Sequence, residues 1–87
     1  MAKIGEHCAD CIQILGEEFK EVHLWLDEFF PALGPKHRSR RHHQDAVEEI
    51  RQRWGDKAAK AAVIHIMKDC HGKVPTKREA TLSGLFS

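Results

Sequence analysis

Residues 57–71, which read KAAKAAVIHIMKDCH, decide the fold of this chain. The alanine-rich first half and the apolar residues after it recur at helical spacing, which predicts a helix from about Lys57 to His71, ended by Gly72. The second half contains His65 and Asp69, and residues four apart lie on one face of a helix. The segment therefore predicts a buried helix that places an imidazole beside a carboxylate.

The same H-x-x-x-D pattern occurs earlier in the chain, from His23 to Asp27. Between the two copies, residues 36–43 read KHRSRRHH, and the chain has 7 histidines in 87 residues. Histidine is the commonest metal ligand in proteins and titrates near neutral pH. Both aspartates fall near the C-terminal end of a predicted helix, where a negative charge opposes the helix dipole. Each aspartate therefore needs a cationic partner, which can be an arginine or a metal ion.

Helical periodicity extends over most of the chain, and strand signals are nearly absent. We expect a single all-α domain over residues 1–87, a small helical bundle of four main helices plus a short C-terminal helix. The main helices are predicted at about 4–15, 17–30, 36–54 and 57–71. Pro31 ends the second, and Asp56 can cap the fourth. Thr76 and Glu79 form a capping box that starts the fifth, which should end near Leu82 or Leu85.

Composition narrows the classes of protein to be considered. The formal charge is +1, no apolar run approaches the ~20 residues of a membrane span, and the first residues do not resemble a signal peptide. We therefore expect a soluble, cytoplasmic protein with no membrane contact. The aromatic residues of the second helix exceed what one helix face can bury, which suggests a homodimer. The basic run lacks interleaved aromatic residues and precedes Glu48 and Glu49, so nucleic-acid binding is not expected.

A metal site is the hypothesis that these residues support best. Imidazole and carboxylate ligands suit Zn, Fe, Mn or Ni, and a position left open to water would permit hydrolytic chemistry. The expected ligands, with either aspartate completing the shell, are His23, His43, His65, Asp27 and Asp69. The alternates are His37 and His42, and the residues expected to neutralise the spare carboxylate are Arg38 and Arg41. A metal-free acid–base site and a structural polar network within a non-catalytic interaction module both remain open.

The three cysteines, at positions 8, 11 and 70, are an odd number, which does not indicate a secreted disulfide framework, and in a reducing cytosol they should be thiols. Together with His71 they would supply a Cys₃His zinc site. That alternative is weak, because the adjacent residues Cys70 and His71 would point about 100° apart on a helix. We therefore expect the cysteines to act as small, partly buried apolar residues.

Three segments in this order resemble a family of small bacterial and phage proteins of unknown function. They read HLWLD at 23–27, HRSRRHH at 37–43 and HIMKD at 65–69, followed by GKVPT at 72–76, and His7 matches an early histidine of the family. The spacing between Asp69 and Gly72 is one residue longer than in that family, and no tryptophan follows Pro75. The family has no established activity. The resemblance implies a functional histidine cluster; the residues that it implies as scaffold are Trp25, Arg38, Arg41 and Pro75.

Overall fold

The computed structural model describes residues 4–70 and 72–86, and at 35–36, 38–39 and 83–86 it describes the backbone alone. Every regular element in these residues is helical, which confirms the all-α class. In chain order the elements are α1 (Ile4–Leu15), α2 (Lys20–Leu26), α3 (Phe30–Leu33), a 3₁₀ turn (Gly34–His37), α4 (Arg38–Arg41), α5 (Gln44–Trp54), α6 (Asp56–Asp69) and α7 (Lys77–Phe86). The bundle arrangement itself stays a prediction. The predicted end of the fourth helix, His71, lies outside the described residues.

Helix α6 is the central element, and it packs against α1, α2 and α5. Its small alanines allow α5 to approach closely, and together α2, α5 and α6 enclose an apolar core. The buried members of this core are Val22, Leu26, Val47, Ile50, Ala58, Ala59, Ala62 and Ile66. Burying a side chain such as Ile50 contributes roughly 1.5–3 kcal/mol. The C-terminal half of α6 carries His65 and Asp69 into a second, polar cluster.

Helix α2 is shorter than the predicted helix over 17–30. It begins after Phe19, whose φ of 54° and ψ of 42° lie in the left-handed region, and it ends at Leu26. A non-glycine residue rarely adopts that conformation, so nothing in the sequence indicated a break there. Asp27 is the C-cap of α2, where its backbone N–H donates to the carbonyl of His23. The aspartate therefore lies at the end of a helix, where a turn follows.

The prediction of one helix over 36–54 is wrong, because the chain breaks between α4 and α5 at His42 and His43. His43 is extended, with φ −153° and ψ 171°, and its Nδ1 accepts a hydrogen bond of 3.2 Å from the backbone N–H of Ala46. The arginine-rich run has good helix propensity, but propensity is a weak preference that tertiary contacts override. The break turns the side chain of His42 into the protein, where it is completely buried.

Other predicted boundaries agree more closely with the structure. Helix α1 has its predicted bounds, and the capping box is formed: the backbone N–H of Thr76 donates to Glu79 Oε1 at 3.0 Å, and that of Glu79 donates to Thr76 Oγ1 at 3.2 Å. Asp56 does not cap α6, because Gly55 occupies the cap position. The Asp56 carboxylate instead pairs with Arg51 at 3.2 Å. No helix among the described residues is long and apolar enough to cross a membrane.

Candidate metal centre

Seven buried polar side chains converge beside the C-terminal half of α6. Five of them are histidines with 0% exposure, and the two aspartates are 8% and 3% exposed. The members of this polar cluster are His7, His23, Asp27, His37, His42, His65 and Asp69. Moving a carboxylate out of water costs several kcal/mol unless the charge is paired. The two aspartates therefore require positive charge inside the protein.

Four of these residues form the centre of the cluster. Asp27, His42, His65 and Asp69 each offer one ligand atom, and these atoms lie within 4.8 Å of one another. The Nε2 atoms of His42 and His65 are 3.1 Å apart. His65 Nε2 lies 3.2 Å from Asp27 Oδ1 and 3.3 Å from Asp69 Oδ2. His42 Nε2 lies 3.4 Å and 3.1 Å from the same two oxygens.

These separations match those of ligands around a small tetrahedral cation. Bonds of about 2.0–2.1 Å from zinc to nitrogen and oxygen place tetrahedral ligand atoms about 3.3–3.4 Å apart. Five of the six distances among the four atoms fall between 3.1 and 3.4 Å. All four ligand atoms lie within 4.8 Å of one another, so the four side chains could hold an ion of this size.

Without a cation, the same atoms make a poor hydrogen-bond network. A carboxylate only accepts, so His42 and His65 would both have to supply an N–H to the oxygens. Those two N–H groups would then face each other across a nitrogen–nitrogen distance of 3.1 Å. A single divalent cation would replace both protons and balance the charges of Asp27 and Asp69.

Both aspartates are held in their charged form. Burial acts to raise the pKa of Asp27, but hydrogen bonds with His37 and His65 outweigh it and hold the pKa well below its usual range. Burial likewise acts to raise the pKa of Asp69, and contacts with His42, His65 and His7 outweigh it in the same direction. Both side chains are therefore carboxylates near neutral pH, which is the form that binds metal.

The pKa values of the two central histidines are shifted in opposite directions. Burial lowers the pKa of His42 to about 4 despite the hydrogen bond with Asp69, so this ring is neutral near neutral pH. Burial also acts to lower the pKa of His65, but hydrogen bonds with Asp27 and Asp69 outweigh it and raise the pKa. The Nε2 position of His65 thus attracts positive charge, and a metal ion competes with the proton for it.

A second layer of histidines surrounds the four central residues. His23 Nδ1 lies 2.9 Å from His65 Nδ1, His37 Nε2 lies 3.1 Å from Asp27 Oδ1, and His7 Nε2 lies 3.4 Å from Asp69 Oδ1. The ring of His7 also stacks on His65 with a centroid distance of 3.6 Å. Partners of this kind orient metal ligands and tune their basicity.

Three of the five predicted ligands, Asp27, His65 and Asp69, belong to the central group. His43 does not: its Nε2 donates to the carbonyl of Arg40 at 2.9 Å, and its Nδ1 caps α5. The structure therefore does not bring His43 into the central group, and the alternate His42 lies there instead. His23 lies one layer further out, and whether the four central residues bind an ion stays a prediction.

Of the two arginines expected to neutralise a carboxylate, Arg41 makes its contacts away from the central group. Arg41 pairs with Glu28 at 2.9 Å and donates to the carbonyl of Trp25 at 2.8 Å, and its guanidinium lies over the Trp25 ring. These contacts fasten α4 to the end of α2, but they do not neutralise Asp27 or Asp69. The side chain of Arg38 lies outside the described residues.

The cysteines do not contribute to the central group. Cys8, Cys11 and Cys70 form no disulfide in the described part of the chain. Burial raises the pKa of Cys11 to about 11, with smaller contributions from Cys8 and Asp10, so its thiol is protonated and is a poor ligand. The proposed fourth member of a Cys₃His site, His71, lies outside the described residues.

Sequence analysis missed the part of α1 in this cluster. His7 entered only through the family resemblance, although it is four residues before Cys11 and so lies on the same helix face. Both side chains are completely buried. The available signal was a histidine on the apolar face of a predicted helix. It indicates the cluster only once that helix is known to pack against the buried aspartate of α6.

Comparison of the chain with protein families, curated proteins and solved structures gave no match. The resemblance to small bacterial and phage proteins therefore stays a prediction. The function of this chain is inferred from its own residues and their geometry.

Proposed function

We propose that this protein binds one divalent transition-metal ion through Asp27, His42, His65 and Asp69. The observation that carries the proposal is the set of five nitrogen–nitrogen and nitrogen–oxygen distances between 3.1 and 3.4 Å. Two carboxylates and one divalent cation give a neutral centre, which is the least costly arrangement in a buried site. Among Zn, Fe, Mn and Ni, the tetrahedral spacing favours Zn.

Burial of the ligands favours a structural role for the ion over hydrolytic chemistry. Structural zinc sites are closed by four protein ligands, whereas catalytic sites keep one position for water or substrate. Here four side chains converge, and none is more than 8% exposed. The ion would join the end of α2, the break before α5 and the C-terminal half of α6, so its binding energy would contribute to folding.

A metal-free polar network in a non-catalytic interaction module is the second candidate. It is favoured by the raised pKa of His65, because a protonated His65 can pair with Asp27 at 3.2 Å and Asp69 at 3.3 Å. Exposed apolar side chains such as Ile12 and Ile14 would then be available to a partner. The homodimer, the absence of nucleic-acid binding and the cytoplasmic location stay predictions.

Elemental analysis of protein purified without a histidine tag separates these candidates. We expect about one transition-metal ion per chain and a melting temperature that falls in a strong chelator, because the ion binds only the folded state. Sub-stoichiometric metal together with an unchanged melting temperature would contradict the metal proposal and favour the metal-free network.

The neighbouring residues His42 and His43 provide a matched pair of variants. His42→Ala should abolish metal uptake, because it removes one of four ligands. His43→Ala should retain full metal uptake and cost about 1 kcal/mol, the usual contribution of a helix N-cap. Metal content and chemical denaturation of both variants would check this assignment, and metal loss in His43→Ala alone would show that the ligand set is wrong.

A further inference from the structure

The two ring nitrogens of His23 have different hydrogen-bonding roles. Its Nε2 lies 2.9 Å from the backbone carbonyl oxygen of Glu18. A carbonyl oxygen only accepts, so Nε2 must carry the hydrogen. A neutral imidazole carries only one hydrogen. The Nδ1 of His23 is therefore left with a lone pair.

That lone pair determines the state of the next ring. His23 Nδ1 lies 2.9 Å from His65 Nδ1, so the His65 nitrogen must donate the hydrogen. Neutral His65 then has its lone pair on Nε2, the atom that faces Asp27, Asp69 and His42. The opposite tautomer would place an N–H in the centre and prevent His65 from binding an ion.

The hydrogen bond between His23 and the Glu18 carbonyl lies at a turn with unusual backbone geometry. The Glu18 carbonyl immediately precedes Phe19, the only described non-glycine residue with positive φ, at 54°. Holding an ordinary residue in this region costs conformational free energy. Such strain persists where surrounding structure compensates for it and is concentrated at functional sites. Here Phe19 packs against the apolar core, and the turn directs the Glu18 carbonyl to His23.

We propose that His23 is a positioning residue of the metal centre. Its Nε2–H donates to the Glu18 carbonyl and its Nδ1 accepts from His65 Nδ1, and this relay of hydrogen bonds holds His65 in the tautomer whose Nε2 can bind the ion. The inference rests on the metal-binding function proposed above. It gives a reason for the left-handed conformation of Phe19. It also explains why His23, which does not contact the ion, is completely buried.

Two substitutions at one position separate positioning from packing. His23→Phe keeps an aromatic ring but removes both nitrogens, and it leaves the Nδ1–H of His65 without an acceptor. We expect His23→Phe to weaken zinc binding about 10–100-fold, the usual effect of losing such a partner, in competition with a chromophoric chelator. His23→Asn places an amide oxygen near the original Nδ1 and should recover most of the affinity.

The absorption spectrum of bound Co²⁺ gives a second readout, because it responds to the ligand field and not to stability. We expect His23→Phe to alter the spectrum and His23→Asn to restore it. Unchanged zinc affinity and an unchanged cobalt spectrum in His23→Phe would overturn the relay. Equal losses in both variants would also overturn it, because packing alone would then explain the burial.

Nitrogen-15 NMR of the zinc-bound wild-type protein tests the tautomer even if the variants fail to fold. We expect His65 to carry its hydrogen on Nδ1, and a hydrogen on His65 Nε2 would overturn the inference. A wild-type protein that takes up no metal contradicts the proposed function itself. Metal uptake with the wrong His65 tautomer contradicts only the relay.

Discussion

The two halves of α6 lie in opposite environments. The N-terminal half packs Ala58, Ala59 and Ala62 against α2 and α5, in a core without charged groups. The C-terminal half places His65 and Asp69 among four further histidines and a second aspartate. The apolar half needs only close packing, whereas the polar half contains two buried negative charges that must be balanced.

This difference shows how a chain of 87 residues can add polar contacts to a small apolar core. Small domains bury a smaller fraction of their surface and often depend on a metal or another cross-link. Non-directional packing joins α2, α5 and α6. Directed contacts then connect α1, the end of α2 and the break before α5 to the same central helix. The stability of the first region should be independent of metal, and that of the second should depend on it.

The largest effect is expected from His65→Ala, which removes a ligand and the partner of His23. The variant should not bind metal, so it should lose the stabilisation that metal gives the wild type. At a free-metal concentration 1,000-fold above the dissociation constant, that stabilisation is about 4 kcal/mol. Chemical denaturation with and without zinc measures it, and a variant still stabilised by zinc would contradict the predicted role of His65.

Ile50→Ala tests the apolar region. Ile50 is completely buried in the core, so truncation should cost about 3 kcal/mol through lost burial and the cavity that remains. The loss should be the same in zinc and in chelator, because α5 contributes Ile50 away from the four central residues. Denaturation curves under both conditions check this, and a clear dependence on zinc would mean that the two regions are coupled.

Lowering the pH of the chelated protein should destabilise it, chiefly through the polar region. The pKa values of His23 and His42 are lowered to about 4, so between about pH 6.5 and 4 the unfolded chain binds protons that the folded one does not. The raised pKa of His65 acts oppositely, since its contribution is present in acid and lost as pH rises through that pKa. We expect a net loss of stability over this range.

Further acidification should remove more stability, because the pKa values of Asp27 and Asp69 are also held low. These carboxylates stabilise the folded state above their usual pKa, and the contribution is lost as the pH falls below it. Denaturation curves at several pH values measure both phases. Constant stability from pH 7 to pH 4 in chelator would contradict the protonation states described for His23 and His42.

The smallest effect is expected from Thr76→Ala, which removes half of the capping box at the start of α7. Both hydrogen bonds of the box are present, at 3.0 and 3.2 Å, but the residues are exposed. The substitution should cost about 1 kcal/mol and leave metal content unchanged. A change in metal content would indicate that α7 affects the centre.

Local sequence patterns predicted an element correctly where several signals indicate the same boundaries. Helix α1, most of α6 and the capping box of α7 were predicted because periodicity, glycine stops and capping residues all indicate the same boundaries. The pair His65 and Asp69 was placed correctly, because both lie on one continuous helix. Its partner Asp27 was also identified, although it lies at a helix cap.

The errors arose where tertiary contacts override local preference. Nothing near Phe19 indicates a left-handed residue, and the arginine-rich run before His42 favours an unbroken helix. Because of the break, His42 and not His43 lies at the centre. Residue spacing alone does not distinguish between these two adjacent histidines. Sequence patterns therefore identify the residue types of the centre and most of its members, but long-range burial decides which of two adjacent histidines enters it.

X-ray absorption at the metal edge of the zinc-loaded, tag-free wild-type protein tests the central claim most directly. We predict one ion per chain with four nitrogen and oxygen neighbours at about 2.0–2.1 Å, including scattering from two imidazole rings. Sulfur neighbours at about 2.3 Å would instead place the ion at the cysteines. That result, or a protein that retains no stoichiometric ion, would contradict a metal centre of Asp27, His42, His65 and Asp69.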